Sequence, residues 1–211
     1  MKAEVPLSPQ ARALLQEATA WRLLGLLFEE PGEGWAREAA SLAATLPGEE
    51  VLCRAAARAR EEGSPVLYQS LLGPGGPVTP RETSHRPELL PGPLLAEISA
   101  YYDQFAYHPA LREPPDHVAM ECGFLGYLRL KEAFARESGF EKQVRTVADA
   151  FGHFREDHLR EMAEPFAASL EPLGVEYLRL ASRELLRRTG SKPPRPTTLP
   201  AGGGEACPFQ K

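Results

Sequence analysis

The sequence has few of the residues that build disulfide or metal frameworks. Its three cysteines, Cys53, Cys122 and Cys207, lie far apart, and no two are spaced as CxxC. Neither a disulfide framework nor a cysteine-based zinc site is therefore predicted. The glycines of GPGGP at 73–77 are not followed by Lys-Ser or Lys-Thr, so no phosphate-binding loop is indicated. We expect no cofactor.

Long apolar runs and an excess of positive charge are also missing. No stretch of about 18 apolar residues occurs, so stable insertion into a membrane is not expected. The N-terminus, MKAEVPLSPQAR, has no apolar core of a secretion signal, which favours a cytoplasmic protein. With a net charge of -5 and a pI of about 5.6, the chain is a poor partner for a nucleic-acid backbone.

Strand patterning is absent, and helical spacing of apolar residues fills most of the chain. No segment alternates convincingly between apolar and polar residues. Ser8-Pro9 is a typical helix start, and Gly190 ends the last helical pattern. The sequence predicts an all-α single domain over 1–190, a bundle of eight or nine helices, followed by a flexible Pro- and Gly-rich tail over 191–211.

One internal loop is much longer than a plain connection. Residues 74–92 are rich in proline and glycine and show no helical spacing. We expect this loop to be irregular and to be mobile in the free protein. It joins the two halves of the bundle, so it is also a candidate hinge for domain swapping. The chain is accordingly expected to be a monomer or a domain-swapped dimer.

The stretch LREPPDHVAMECGFLGYL, residues 111–128, places polar side chains at the start of an apolar helical pattern. Asp116 stands where an N-cap belongs, at the beginning of a helix that we expect to start at about residue 116. His117 follows in the first turn, and Glu121 lies four residues later on the same face. These residues either form an ordinary helix start with a surface pair, or they line a polar pocket for a cation or a peptide.

A catalytic interpretation has less support. The alternative is a metal-dependent hydrolase built on a helical bundle, with His117, Glu121, His153 and His158 as ligands. Carboxylate-bridged metal bundles use repeated E-x-x-H units that face inward, and none occurs in this chain. No serine or cysteine lies in a nucleophile-elbow setting either. A further alternative is a purely structural bundle without a peptide groove.

Five motifs occur in order along the chain: WRLLGLLFEEP at 21–31, YQSLLGP at 68–74, PRETS at 80–84, EPPDH at 113–117 and HL at 158–159. Together they resemble the TorD/DmsD/NarJ family of redox-enzyme maturation chaperones. EPPDH is similar to that family's E-x-P-D-H signature at the start of a core helix. YQSLLGP is similar to its Y-x-x-L-F-x-G-P motif.

The resemblance implies an all-helical chaperone that is not an enzyme. Such a protein binds the twin-arginine leader, or an equivalent N-terminal segment, of a molybdenum-cofactor oxidoreductase and holds it in the cytoplasm until the cofactor is inserted. The residues that the resemblance assigns to peptide binding are Tyr68, Leu71, Leu72, Pro80, Ser84, Glu113, Pro115, Asp116, His117, Glu121 and Phe124.

The physical chemistry of a leader agrees with this assignment. Glu113, Asp116 and Glu121 would form an acidic, partly exposed rim for the two arginines. Tyr68, Leu71, Leu72 and Phe124 would supply the apolar wall. The chain departs from the family pattern at Arg81-Glu82-Thr83, where an aromatic residue is common. It also has His85 and Arg86 where a tyrosine is often found, and Cys122 at a usual leucine position.

Overall fold

The computed structural model describes residues 7–190. The helices of this part of the chain are α1 (Pro9–Leu26), α2 (Trp35–Ala44), α3 (Glu50–Glu62), α4 (Pro65–Leu71), α5 (Glu82–His85), α6 (Pro91–Gln104), α7 (Val118–Glu137), α8 (Glu141–Phe154), α9 (Arg160–Leu170) and α10 (Glu176–Thr189). Nine of these ten are longer than a single turn, and residues 7–190 contain no strand, so the all-α prediction is confirmed. The predicted flexible tail lies outside the described residues.

The centre of the bundle is the antiparallel packing of α1 against α7. The start of α1 lies beside the end of α7, where the Ser8 amide donates to Glu137 at 3.1 Å. At Gly126, an added Cβ would lie 2.9 Å from the backbone oxygen of Ala18, and at Gly25 it would lie 3.2 Å from the Cβ of Cys122. Small residues at this crossing let the two helix backbones approach closely.

Serine caps mark the starts of two helices, and the first of them was predicted from Ser8-Pro9. The Ser8 hydroxyl accepts from the Ala11 amide at 3.1 Å, and Pro9 occupies the first turn of α1. Ser64 does the same for α4, accepting from the Leu67 amide at 3.2 Å. Among residues 7–190, no helix is both long enough and apolar enough to cross a membrane.

The prediction that the long loop is irregular is wrong in its middle part. Residues 79–86, here called the strap, contain the single turn of α5 and pair with the segment that precedes α7. The Glu82 amide donates to the Asp116 carbonyl at 2.8 Å, and the Val118 amide donates to the Pro80 carbonyl at 2.9 Å. Local periodicity does not reveal such a long-range pairing. The mobility of the loop and its role as a swapping hinge stay predictions.

A short π-helical segment, Arg155–Leu159, joins α8 to α9, and it is called the π-turn below. Turns of this kind insert one extra residue into a helix and often occur at functional sites. Here the turn contains His158, which is buried and faces the strap. The strap also packs against α9, where the ring of His85 lies 5.7 Å from that of Phe166.

Candidate peptide-binding site

Asp116 is fully buried and binds the strap. Its Oδ1 accepts from Arg81 Nε at 2.9 Å, and its Oδ2 accepts from the amide and the hydroxyl of Thr83 at 3.2 and 2.7 Å. The prediction that Asp116 caps α7 is wrong, because His117 occupies that position. The Nδ1 of His117 accepts from the Ala119 amide at 3.2 Å.

His117 is a neutral capping residue with a defined tautomer. Since Nδ1 accepts a hydrogen bond, the ring proton lies on Nε2, which faces the Tyr68 hydroxyl oxygen at 3.2 Å. Burial lowers the pKa of His117 to about 4, although the Asp116 carboxylate opposes the shift. Both ring nitrogens are occupied, and the predicted surface pair with Glu121 does not form.

Glu121 is fully buried, and within residues 7–190 neither of its carboxyl oxygens has a hydrogen-bond partner of good geometry. Burial, followed by the charges of Glu82 and Asp116, raises the pKa of Glu121 well above its usual range. This shift favours the protonated form of Glu121, which can donate towards the Glu82 carboxylate where an anion could not. An exposed acidic rim formed by Asp116, His117 and Glu121 is not present, because the strap covers all three.

The strap contributes a second buried carboxylate, Glu82. One of its oxygens accepts from Arg86 Nη1, and the other accepts from His158 Nδ1 at 3.0 Å. The strap thus carries Arg81 to Asp116 and holds Glu82 between Arg86 and the π-turn. Sequence reasoning did not assign Glu82 to the site. The signal was the Arg81-Glu82-Thr83 triplet, which departs from the pattern of the family that the motifs resemble.

The remaining predicted contact residues divide by burial. Tyr68, Leu72 and Phe124 belong to the buried core, so they do not form an open apolar wall. Pro80 is buried, Leu71 and Pro115 are half-buried, and Ser84 is exposed on the strap. The Pro115 carbonyl accepts from the Tyr102 hydroxyl at 2.7 Å. A direct role of these residues in peptide binding stays a prediction.

An open apolar groove lies beside this cluster. It has a volume of about 690 Å³ and runs between α1, α2, α7 and the segment 107–111. Its lining includes Leu15, Leu42, Leu111, Gly123, Gly126 and Tyr127. A Cβ at Gly126 would lie 2.9 Å from the Ala18 oxygen, and one at Gly123 would overlap the Tyr107 hydroxyl, so these glycines let α1 and Tyr107 pack closely against α7 beside the groove. Sequence reasoning missed this groove, because glycines within a helical pattern carry no apolar signal.

Three glutamates gather near one side of the groove. Glu29 lines it and forms an ion pair with Arg22, and Glu113 follows Leu111 by two residues. Burial, then the charges of Glu30 and Glu29, raise the pKa of Glu113, while Arg81 lowers it. Glu113 is the one carboxylate of the EPPDH motif that is not fully buried. Glu29 and Glu30 come from the WRLLGLLFEEP motif, so the sequence did contain their signal.

The match to known families agrees with this arrangement of motifs. Residues 29–168 match the family model for the nitrate reductase delta subunit, a match that covers more than half of the chain. The chain belongs to the nitrate reductase delta subunit family. This family is of the NarJ/TorD type and consists of maturation chaperones, not of catalytic enzymes. The expected family and the expected non-enzymatic role are thereby confirmed.

A solved structure shows the same fold. A protein from Archaeoglobus fulgidus, described as a redox enzyme maturation protein, superimposes with a TM-score of 0.55 at 17% sequence identity. The match covers 89% of this family member and 98% of the archaeal chain. At this identity the likeness concerns the helical fold. No curated protein sequence matches the chain.

The ligand set of the metal-dependent alternative is not assembled in this delta-family chain. His153 is exposed on α8, whereas His158 is buried against Glu82 and His117 is bonded to Tyr68 and Ala119. Across the described part of the chain, no three His, Cys, Asp or Glu side chains converge as a metal ion requires. The buried acids and histidines instead hold the strap in place.

Proposed function

We propose that this family member is a cytoplasmic chaperone for a molybdenum-cofactor oxidoreductase. It binds the N-terminal leader of that enzyme, of the twin-arginine type, and holds it until the cofactor is inserted. The observation that carries this proposal is the open apolar groove with an acidic group beside it, in a chain of the maturation-chaperone family. A leader presents the complementary surface, since it combines arginines with an apolar segment.

The groove and the acidic group bind different parts of the leader. The apolar segment lies in the groove against Leu15, Leu111 and the glycine face of α7. The arginines pair with Glu113 and Glu30, which have no ion-pair partner of their own among residues 7–190. A guanidinium there relieves the mutual repulsion of the glutamates and makes charge-assisted hydrogen bonds. Binding is therefore expected to weaken as salt concentration rises.

The buried acids support this surface, and because they are fully buried a leader cannot reach them while the strap is in place. Asp116 and Glu82 already hold the guanidinium groups of Arg81 and Arg86. A leader arginine that reached Asp116 would have to displace Arg81 from it, and the strap with it. We therefore propose direct contacts of the leader with Asp116, His117 or Glu121 only for a state in which the strap has moved.

The test is a calorimetric titration of a synthetic leader peptide with two adjacent arginines and an apolar segment. Glu113→Gln and Glu30→Gln are each expected to weaken binding about tenfold, because each removes a charge-assisted bond at a partly exposed site. Both variants should also show a smaller salt dependence than the wild-type protein. A peptide with glutamines in place of both arginines should lose, against the wild-type protein, about as much affinity as the two variants lose together.

The matched control is Glu164→Gln, an exposed glutamate on α9 that lies outside the groove lining. It should bind the leader as the wild-type protein does. If the wild-type protein does not bind the peptide, the proposed function is wrong. If all three glutamine variants bind equally well, the leader binds elsewhere on the protein.

A further inference from the structure

A second concave surface lies at the opposite end of α7 from the EPPDH motif. Three large apolar side chains are exposed there: Leu130 at 49%, Phe134 at 68% and Phe140 at 48%. They border a cavity of about 850 Å³ formed by the end of α6, the last turns of α7 and the start of α8. We call this cavity the α7–α8 groove. Exposed apolar surface of this kind marks an interaction site.

The shape of the α7–α8 groove suits a helix. Leu130 and Phe134 are one turn apart on the same face of α7. Phe105 and Val147, which are buried, also line the groove. A concavity with apolar walls accepts side chains that protrude at one-turn spacing, as those of an amphipathic helix do. A bilayer surface, in contrast, is best contacted by apolar side chains that protrude from a convex surface.

The charge of the groove indicates the charge of the residues that flank the apolar face of its partner. Lys131 and Lys142 contribute to the lining, and no carboxylate does. The Lys131 ammonium donates to the Phe105 carbonyl at 2.8 Å and to the Tyr127 hydroxyl at 3.2 Å, so its position is fixed. Lys142 is exposed, and its ammonium group has no hydrogen-bond or ion-pair partner within residues 7–190. In a chain with a net charge of -5, this basic lining favours an acidic partner.

We propose that the α7–α8 groove binds an amphipathic helix of a partner protein, with an apolar face and acidic flanks. The apolar face covers Phe134 and Phe140, and the acidic flanks pair with Lys142 and Lys131. A second copy of this chain would bring the same lysines together, so it is a poorer occupant. Leu130 lines both grooves, whereas Phe134 and Lys142 line only the α7–α8 groove, so the proposal does not depend on leader binding.

The probe is a fluorescent synthetic helix of about 18 residues, with leucines at i, i+4 and i+7 and glutamates along both flanks. A second peptide has lysines in place of the glutamates. By fluorescence anisotropy, the acidic peptide should bind the wild-type protein at least tenfold more tightly than the basic one. Phe134→Ser should weaken its binding at least tenfold, and Lys142→Glu should reverse the preference between the two peptides.

Val66→Ser is the matched control, because Val66 is 79% exposed and lies outside the groove lining. It should bind the acidic peptide as the wild-type protein does. Leader affinity should be unchanged in Phe134→Ser, which also shows that this variant is folded and separates the two proposals. A leader that fails to bind the wild-type protein would contradict the proposed function alone.

Four results would overturn the proposal. The acidic and basic peptides could bind equally, or neither could bind. Sedimentation could show a dimer that Phe134→Ser dissociates, which would make the groove an interface between copies. Finally, vesicles of anionic lipid could bind the wild-type protein and not Phe134→Ser in the absence of peptide binding, which would make it a membrane contact.

Discussion

The two ends of α7 differ in which side chains are buried: polar groups are buried at one end, and apolar groups are exposed at the other. At the N-terminal end, Asp116, His117 and Glu121 are buried, and the strap covers them. At the C-terminal end, Phe134 is exposed and the Lys142 ammonium group has no partner in the described residues. We call the N-terminal end, which contains most of the EPPDH motif, the closed end. The C-terminal end, with its exposed apolar side chains, is the open end.

This difference separates stability from recognition. A buried carboxylate that holds an arginine is costly to remove, because the partner loses its counter-charge and its hydrogen bonds. An exposed phenylalanine contributes little to the folded state, since it is already in water. Substitutions at the closed end should therefore change the free energy of unfolding, and substitutions at the open end should change binding.

The largest expected effect is that of Asp116→Ala. It removes the acceptor for Arg81 and for both donors of Thr83 in a fully buried position. We expect the free energy of unfolding to fall by about 3 kcal/mol, at the lower end for a broken buried pair because Arg81 is partly exposed. Chemical denaturation followed by circular dichroism measures this. A loss below about 0.5 kcal/mol would mean that the strap is not anchored through Asp116.

Asp116→Asn is the control for charge. Asparagine has nearly the same shape and keeps an acceptor oxygen for Thr83, but it carries no charge for Arg81. Its loss should be smaller than that of Asp116→Ala. Equal losses in the two variants would assign the whole effect to the ion pair and none to the hydrogen bonds of Thr83.

The next effect depends on pH and comes from His117. Its pKa is about 4 in the folded protein against an ordinary 6.5, so the unfolded chain binds more protons between these values. The stability that neutral His117 provides is complete above pH 6.5 and is lost as the pH falls towards 4. Between pH 7 and pH 4, the wild-type protein should lose about 2 kcal/mol more than His117→Asn, which keeps a cap acceptor.

Denaturant titrations of both proteins at several pH values provide the measurement. Equal slopes of stability against pH would mean that His117 titrates normally and is not buried in solution. At pH 7, the free energy of unfolding of His117→Asn should be about 1 kcal/mol lower than that of the wild-type protein, because the contact with Tyr68 is missing.

Glu121 should change the stability with pH in the opposite direction to His117, and Glu121→Gln tests this. The pKa of Glu121 is raised in the folded protein, so its favourable contribution is complete below the ordinary value of 4.5 and is lost as the pH rises. Glutamine is neutral at every pH and avoids this loss. We expect Glu121→Gln to gain stability relative to the wild-type protein as the pH rises from 4 to 7. A destabilised variant at pH 7 would indicate an ionised, paired Glu121.

At the closed end, the position of the motif at a helix start could be predicted from the sequence, whereas the contacts of its side chains could not. The EPPDH motif correctly marked the start of α7, and the family was predicted from five motifs in order. The cap was displaced by one residue, because both Asp116 and His117 follow the prolines and a neutral imidazole nitrogen can cap as a carboxylate does. Burial of the motif depends on Arg81 and Arg86, which are far away in the sequence.

The open surfaces were much less predictable. Residues such as Phe134 and Leu130 fit a helical apolar pattern, and that pattern does not say which face another helix covers. The groove beside Gly123 and Gly126 forms between α1, α2, α7 and the segment 107–111, which are distant in the sequence, so apolar periodicity could not indicate it. Tertiary packing decides both features, whereas local spacing decides the helices themselves.

The smallest expected effect on stability is that of Phe134→Ser, and it bears most directly on the comparison. Phe134 is 68% exposed at the end of α7, so its removal should change the free energy of unfolding by less than about 0.5 kcal/mol. Asp116→Ala measured in the same buffer gives the scale for the closed end. A loss of 2 kcal/mol or more in Phe134→Ser would mean that the side chain is packed in solution, against a second copy or another part of the chain. Near-equal stability of Phe134→Ser and the wild-type protein means that the exposed phenylalanine does not serve the fold, as expected of a residue that serves recognition.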